Sequence, residues 1–316
     1  MRVLFADSNH PILHEMLIEA GFDCDLFWNK PAKELTDLLP SYDALVIRSK
    51  FKLDAALLKK CKQLKCIGRV GAGMENIDLA HAQNQGIRCL SVPEGNRDAV
   101  GEHAIGMLLM LLNNLKRADD EVRKGLWIRA ENRGTEIMGK TIGIIGYGNT
   151  GKALASKLSG FGCKILAYDK YLKGYSDPYV EESSMEVLYK ECDIVSLHLP
   201  LSPETTHFAN AGFFSAFKKN IYFINTARGA CLNTAELIPF LESGKVKGAC
   251  LDVLEFESVS FENTSAAESE VFHYLSQSNK VLLSPHIAGW THESNFKMSR
   301  FLAEKMIAEF KQRATR

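Results

Sequence analysis

The stretch GKTIGIIGYGNTGKALASKLSGFGCKILAYD, residues 139–169, decides the fold. TIGIIG (141–146) reads as a strand, Gly146-x-Gly148-x-x-Gly151 follows it and opens a helical run, and KILAYD (164–169) closes the unit as a second strand. A lone GxGxxG is weak evidence, but here strand, turn, helix and strand make one unit of about 30 residues, as a dinucleotide-binding crossover requires. Gly146 permits the tight turn, Gly148 lets the backbone approach a pyrophosphate, and Gly151 allows close helix–sheet packing. The helix N-terminus offers unpaired N–H groups and a positive dipole end to the phosphates. Asp169 ends the second strand, 23 residues after Gly146, and is placed to accept hydrogen bonds from the adenosine ribose. A carboxylate there repels a 2′-phosphate, so NAD is expected rather than NADP. Lys170 is next in sequence, but neighbouring strand residues point apart.

Outward from this unit, β-like runs alternate with helical ones. VLFAD (3–7), ALVIRS (44–49), CIGRV (66–70) and IRCLSV (87–92) precede it, with amphipathic segments such as 11–20 and 53–62 between them. DIVSLHL (193–199), IYFINT (221–226), GACLDV (248–253) and VLLS (281–284) follow it. Such alternation predicts an α/β protein with parallel strands and crossover helices. The helical pattern from about Arg97 to Leu115 is apolar on most faces and should be buried between other elements. The segment 291–312 carries Phe296, Phe301, Leu302, Met306 and Phe310 at helical spacing with no strand of its own to cover. It is expected to pack back on the N-terminal domain, making that domain discontinuous. The region 258–279 is polar, carries six Ser, and reads as a loop with one short helix.

With 316 residues the chain is long enough for two domains, and 46% hydrophobic with 24% charged residues is ordinary for a globular protein. Lys plus Arg equals Asp plus Glu at 38 each, so no overall field attracts nucleic acid or an anionic membrane. No apolar run reaches the roughly 18 residues of a membrane span. The eight cysteines show no CxxC and no framework spacing, and several lie in apolar runs as small buried side chains. Free thiols, with a strand-like N-terminus in place of a signal peptide, predict a cytoplasmic protein.

Three polar clusters follow strands beyond the glycine-rich turn. INTARG carries Arg228, LDVLEFE carries Asp252 and Glu257, and SPHIAGW carries His286. Ligands of open α/β sheets bind outside the carboxyl ends of the strands, so these loops converge on one crevice. Their types suit hydride transfer at a carbinol carbon. A histidine takes the hydroxyl proton, a carboxylate on its other nitrogen fixes the tautomer, and a guanidinium binds the substrate oxygens. Spacing alone equally admits salt-bridged loop residues, and a histidine after a strand is often merely packed. Metal ligation is the weakest reading of His286, because no second ligand lies at a usual spacing.

With these clusters in view, the chain resembles the D-isomer-specific 2-hydroxyacid dehydrogenase family, and most of all its 3-phosphoglycerate dehydrogenase branch. The matching segments, in family order, are RVGAGMENID (69–78), PEGNRDAVGEH (93–103), GKTIGIIGYGNTGKALA (139–155), DIVSLHLPLSPET (193–205), FINTARGACLNTAEL (223–237), GACLDVLEFE (248–257) and SPHIAG (284–289). The resemblance implies two Rossmann/flavodoxin-like parallel-sheet domains with the active site in the cleft between them. The substrate domain would be 1–97 plus 293–316, and the NAD-binding domain 98–292. It implies His286 as acid–base residue, Glu257 as its partner and Arg228 as the substrate-binding guanidinium. NAD would meet Gly146, Tyr147, Gly148, Asn149, Thr150, Gly151, Asp169, Leu199, Pro200, Thr226, Ala227, Ala288 and Gly289, with Asp252 on the nicotinamide carboxamide. Gly71, Ala72 and Gly73 would present backbone N–H groups to the substrate carboxylate, small residues being what lets a backbone approach an anion so closely. Arg48 and Arg69, with Lys50 nearby, match positions that hold a phosphate in that branch. Trp127 and Arg129 fall where the branch anchors a partner subunit, so a homodimer through the NAD-binding domain is expected.

The expected reaction interconverts a D-2-hydroxy acid and its 2-keto acid, with 3-phosphoglycerate the first choice. The alternatives are glyoxylate or hydroxypyruvate reduction and, in a different class, an NAD-sensing corepressor-like binding protein. Against the last stand the presence of Arg228, Glu257 and His286 and the balanced charge. Glu75 stands where the family usually has Asp, Ser258 where it has Pro, and Trp290 where a small residue is common. The chain ends soon after the last helix, so no feedback by serine through C-terminal regulatory domains is expected.

Overall fold

A computed structural model describes residues 1–257 and 269–314. The chain divides into two compact units, one of residues 1–96 with 290 onward, the other spanning 97–289. The first holds β1 (Arg2–Phe5), β2 (Asp23–Leu26), β3 (Ala44–Ile47), β4 (Cys66–Arg69) and β5 (Arg88–Leu90), in the spatial order β2-β1-β3-β4-β5. All four pairings are parallel. Alternate side chains sort to the two faces, as a period of two demands. Leu4, Leu45, Ile47 and Ile67 pack on one side, while Val3, Phe5, Ala44, Val46 and Cys66 pack on the other. The second face is covered by helix His292–Ala314 through Met298, Leu302, Ala303, Met306 and Phe310. Gly68 allows the close approach, since a Cβ there would lie 2.8 Å from the Met306 sulfur. Phe296 is instead partly exposed and meets the His10 ring edge-on.

The second unit holds seven parallel strands: β6 (Thr141–Ile145), β7 (Lys164–Tyr168), β8 (Val180–Glu182), β9 (Ile194–Leu197), β10 (Ile221–Asn225), β11 (Val246–Leu251) and β12 (Val281–Leu283). Their order is β12-β11-β10-β9-β6-β7-β8, so the direction of winding reverses between β9 and β6. Helix Arg97–Leu112 lies on this sheet, burying Ala104, Met107, Leu108 and Leu112. Gly101 brings it against helix Asn149–Leu158, where a Cβ would sit 3.1 Å from the Ala153 carbonyl carbon. Met110 stays exposed, so the helix is covered on one broad side rather than all round. No helix among the described residues is long and apolar enough to cross a membrane.

Two strands fall outside those expected from the sequence, β2 and β8. Both are sheet edges of three or four residues, DCDL and VEE, half-exposed and acidic, with too little apolar alternation to stand out. Within 258–279 a helix forms at Glu270–Gln277, and the rest of the expected loop, 258–268, lies outside the described residues.

Just past β9, His198 is buried, with Nε2 2.9 Å from Ser196 Oγ and Nδ1 3.1 Å from Thr150 Oγ1. Burial pushes its pKa from 6.5 down to about 4, so the ring stays neutral. Between those values the unfolded chain binds a proton that the native state refuses, so stability falls as the pH drops through that window. The full effect is on the order of 3 kcal/mol. Urea midpoints measured from pH 7 to 4 should fall less steeply for His198→Gln than for the parent, and equal slopes would exclude His198 as the responsible group.

Candidate active site

Because β12, β11 and β10 are neighbours, the loops after them lie side by side. The loop after β12 carries His286. Its backbone is left-handed, with φ 55°, a conformation costing about 1–2 kcal/mol in a residue with a Cβ. Two carbonyls hold it there: His286 N–H donates to Asp252 O at 2.7 Å and to Ser284 O at 3.1 Å. Its Nδ1 lies 2.6 Å from Glu257 Oε2. The other Glu257 oxygen accepts from Leu254 N–H at 2.5 Å, so the carboxylate is fixed from both sides. Glu255, two residues earlier, is otherwise engaged: one oxygen meets His207 Nε2 at 2.6 Å and the other accepts from Thr234 N–H at 3.1 Å.

Beneath this pair sits Asp252, 1% exposed. Its Oδ1 accepts from Ser284 Oγ at 2.6 Å and from Ile287 N–H at 2.9 Å. Its Oδ2 accepts from Ala288 N–H at 2.9 Å. His103 Nε2, from helix Arg97–Leu112, stands 3.4 Å from Oδ1 and 3.0 Å from Ser284 Oγ. Burial works against the charge, but the donors from His103, Ser284, Ala288 and Ile287 outweigh it and keep the pKa below the ordinary carboxylate value. Both oxygens thus serve the chain itself, and Asp252 is the anchor of the His286 loop. His103 and Ser284 have no part in the sequence-level site. His103 does lie in the quoted segment 93–103, a lone polar ring in an apolar helix, and that was the available signal.

Arg228 stands on the loop after β10, between Asn225, whose side chain donates to the Arg228 carbonyl at 3.0 Å, and a short 3-10 turn, Gly229–Cys231. Its Nη1 donates to Ala227 O at 2.7 Å. Gly229 locks this loop to the next, because a Cβ there would lie 1.9 Å from the Leu254 carbonyl oxygen. The segments carrying Arg228 and Glu257 are therefore pressed together backbone to backbone.

Across the winding reversal, the loops after β6 and β9 touch. Gly146 has φ 93°, and a Cβ on it would meet His198 O at 2.5 Å. At Gly151 a Cβ would meet Gly146 O at 2.1 Å, so the helix is seated directly on the turn. At Gly148, the cap of helix Asn149–Leu158, a Cβ would meet nothing within 4 Å. That open space above an N-terminus is where a pyrophosphate would lie. Thr226 Oγ1 is buried without a hydrogen-bond partner, an orphaned polar atom beside the same strand ends. Ala227, next to it in sequence, and Ala288, after β12, are both buried, while Leu199 is half-buried and Pro200 exposed after β9. Tyr147 is buried and stacks on Tyr175 at 4.6 Å. The Thr150 hydroxyl is held by His198, leaving the backbone of Asn149 and Thr150 as the face toward the open space.

Asp169, after β7, accepts from Tyr147 N–H at 2.8 Å and from Tyr171 and Leu172 N–H, each at 2.9 Å. Partial burial works against its charge, and these three donors with nearby Lys173 outweigh it, keeping the carboxylate ionised. The open space at Gly148 and the orphaned Thr226 hydroxyl are features that a bound dinucleotide would fit. Among the described residues no group of three or more His, Cys, Asp or Glu side chains is arranged to hold a metal ion.

In the other unit, Gly71, Ala72 and Gly73 follow β4, with Gly71 O accepting from Val92 N–H at 2.9 Å. Arg48 follows β3 and Arg69 ends β4.

The family model for the NAD binding domain of D-isomer specific 2-hydroxyacid dehydrogenases matches residues 105–288. A hydroxypyruvate reductase from Thermotoga maritima is 36% identical over 276 residues, 87% of either chain. A D-3-phosphoglycerate dehydrogenase from Archaeoglobus fulgidus is 31% identical over 309 residues, and there the chain spans 97% of itself but 57% of that protein. Among solved structures, D-lactate dehydrogenase from Aquifex aeolicus, complexed with NAD and lactic acid, superposes with a TM-score of 0.84 at 28% identity, covering 99% of this chain and 96% of that one. The ordered strand-end loops and these likenesses agree: the chain belongs to the D-isomer specific 2-hydroxyacid dehydrogenases, NAD-dependent oxidoreductases of two parallel-sheet α/β units.

Proposed function

We propose that the chain interconverts a D-2-hydroxy acid and its 2-keto acid, with 3-phosphoglycerate and 3-phosphohydroxypyruvate, a pair of serine biosynthesis, as the favoured substrates. The observation that carries the chemistry is the 2.6 Å contact between His286 Nδ1 and Glu257 Oε2. With Nδ1 protonated toward Glu257, Nε2 is left as the base. It takes the hydroxyl proton as C2 is oxidised and returns it in the reverse direction. Glu257 balances the imidazolium that forms, and its own fixation by Leu254 N–H keeps the ring aimed. Arg228 binds the oxygens of the substrate and stabilises negative charge on the carbonyl oxygen. NAD, when bound, supplies the two-electron acceptor for the hydride leaving C2. Gly146, Tyr147, Gly148, Asn149, Thr150, Gly151 and Asp169 hold its phosphates and ribose, with Thr226, Ala227, Leu199, Pro200, Ala288 and Gly289 alongside. Asp252 supports this set as the anchor of the His286 loop.

The unit of residues 97–289 is assigned the NAD-binding role and the unit of 1–96 with the last helix the substrate role, including Gly71, Ala72, Gly73, Arg48 and Arg69. Hydroxypyruvate reduction is the second reading, favoured by the 36% identity to the Thermotoga maritima enzyme. The phosphorylated substrate is preferred because two arginines stand at the strand ends of the substrate unit. We assign the chain to the cytoplasm, since its cysteines are free thiols.

A homodimer through the NAD-binding unit rests on the apolar surface that follows helix Arg97–Leu112. Leu115 and Val122, seven residues apart on one face of helix Leu115–Arg123, are exposed, as are Leu126 and Trp127, the last 80% exposed. Trp127→Asp should halve the mass seen by light scattering at micromolar concentration, and an unchanged mass would exclude this surface. His286→Ala should lower turnover by roughly 10²–10⁴ while NADH binding, followed by fluorescence, stays nearly intact; unaltered turnover would remove the acid–base role. Substrate choice is read from initial rates with 3-phosphoglycerate, D-glycerate, D-lactate and hydroxypyruvate. Activity on D-glycerate with none on the phosphorylated acid would reject the phosphate reading.

A further inference from the structure

Three cations stand where β3 and β4 end, and each is held differently. Lys50 Nζ donates to the Trp28 carbonyl. Arg69 donates from Nε to the Arg48 carbonyl at 3.2 Å. Its guanidinium also lies along the following turn, since a Cβ on Gly71 would sit 1.9 Å from Arg69 Nη1. Both of these side chains donate to a backbone carbonyl of their own unit.

Arg48 is arranged otherwise. Its main chain is pinned, because Asp7 Oδ2 accepts from the N–H groups of Arg48, Ser49 and Lys50 at 2.6, 3.1 and 3.3 Å. Its guanidinium has no hydrogen-bond acceptor among the described residues. What it meets is the face of Trp290, 4.9 Å from carbon to ring centroid. Burial lowers the Arg48 pKa from its ordinary value, while Asp7 acts in the opposite direction. Trp290 itself is 59% exposed, so core burial does not account for so large a ring. With the ring on one side and no acceptor among the described residues, the N–H donors of the guanidinium remain for an oxyanion. That geometry suits bidentate binding of an oxyanion.

We propose that Trp290 is a specificity-determining residue: it holds Arg48 as the receptor for a phosphomonoester dianion on the substrate, while Arg69 braces the Arg48 backbone. The proposal deepens the reading given above and rests on it. It divides two arginines of equal standing in sequence into one that binds and one that supports. It also gives the aromatic ring a chemical task, since a smaller residue would leave the guanidinium unstacked and its rotamer unrestrained.

The test compares Trp290→Leu, which loses the aromatic face, with Trp290→Phe, which keeps one. Each is checked for native folding by circular dichroism and assayed with NADH on 3-phosphohydroxypyruvate and on hydroxypyruvate. The ratio of the two kcat/KM values should fall roughly three- to thirtyfold in Trp290→Leu, mostly through KM for the phosphorylated acid, and recover largely in Trp290→Phe. A ratio unchanged in Trp290→Leu, or lowered equally in both variants, would overturn the proposal. Inorganic phosphate titrated calorimetrically into the same proteins supplies a readout independent of turnover. Weaker binding in Trp290→Leu than in the parent supports the stacked pair, and equal binding overturns it. Should the parent turn over neither acid, the reading of function fails while the phosphate titration still judges the pair.

Discussion

The carboxylate of Asp252 is the fixed point on which the rest of the reactive end of the sheet is built. A buried, unpaired carboxylate is costly by several kcal/mol, so its ionisation requires that donors surround it. Here they come from three places: the helix that enters the unit, the end of β12, and two consecutive backbone N–H groups of the loop that follows. The carbonyl of the same residue receives the His286 N–H. One residue thereby sets the path of the chain through Ser284, His286, Ile287 and Ala288. The left-handed backbone at His286 is tolerated because this network over-determines it.

Sheet order then sorts the chemistry. β12, β11 and β10 bring His286, Glu257 and Arg228 to adjacent loops, and β9, β6 and β7 bring the loops suited to a dinucleotide. The reversal between β9 and β6 opens the crevice, and the contact of Gly146 with His198 O shows how tightly its floor is drawn. Small residues fall where two loops must touch. Gly229 against Leu254 and Gly151 against Gly146 are both positions where a single added carbon would displace backbone.

Much of this was legible in the sequence because it rests on local pattern. Central strands such as ALVI, buried at all four residues, announce themselves as apolar runs, and the glycine spacing marks the turn after β6. The edges β2 and β8 were not legible, since a half-exposed acidic strand has no periodic signature and depends on its neighbour for pairing. The partners of Asp252 were hidden for a different reason. His103 lies 149 residues from it along the chain, and only the packing of helix Arg97–Leu112 on the sheet joins them. Likewise nothing local distinguishes Arg48 from Arg69; the distinction arises from which guanidinium finds a carbonyl and which finds a ring.

Asp169 carries a consequence for any attempt to redesign the cofactor preference. On the proposed reading its charge would disfavour a 2′-phosphate, and the same carboxylate ties down Tyr147, which opens the glycine turn, and Tyr171 and Leu172, which begin the segment after β7. Replacing it by a neutral residue would relieve the electrostatic veto and in the same stroke release three main-chain donors. On that reading selectivity and loop architecture are written in one side chain. A variant that accepts the larger dinucleotide needs a substitute acceptor for those N–H groups, such as an Asn or Ser oxygen, together with a cation to meet the added phosphate.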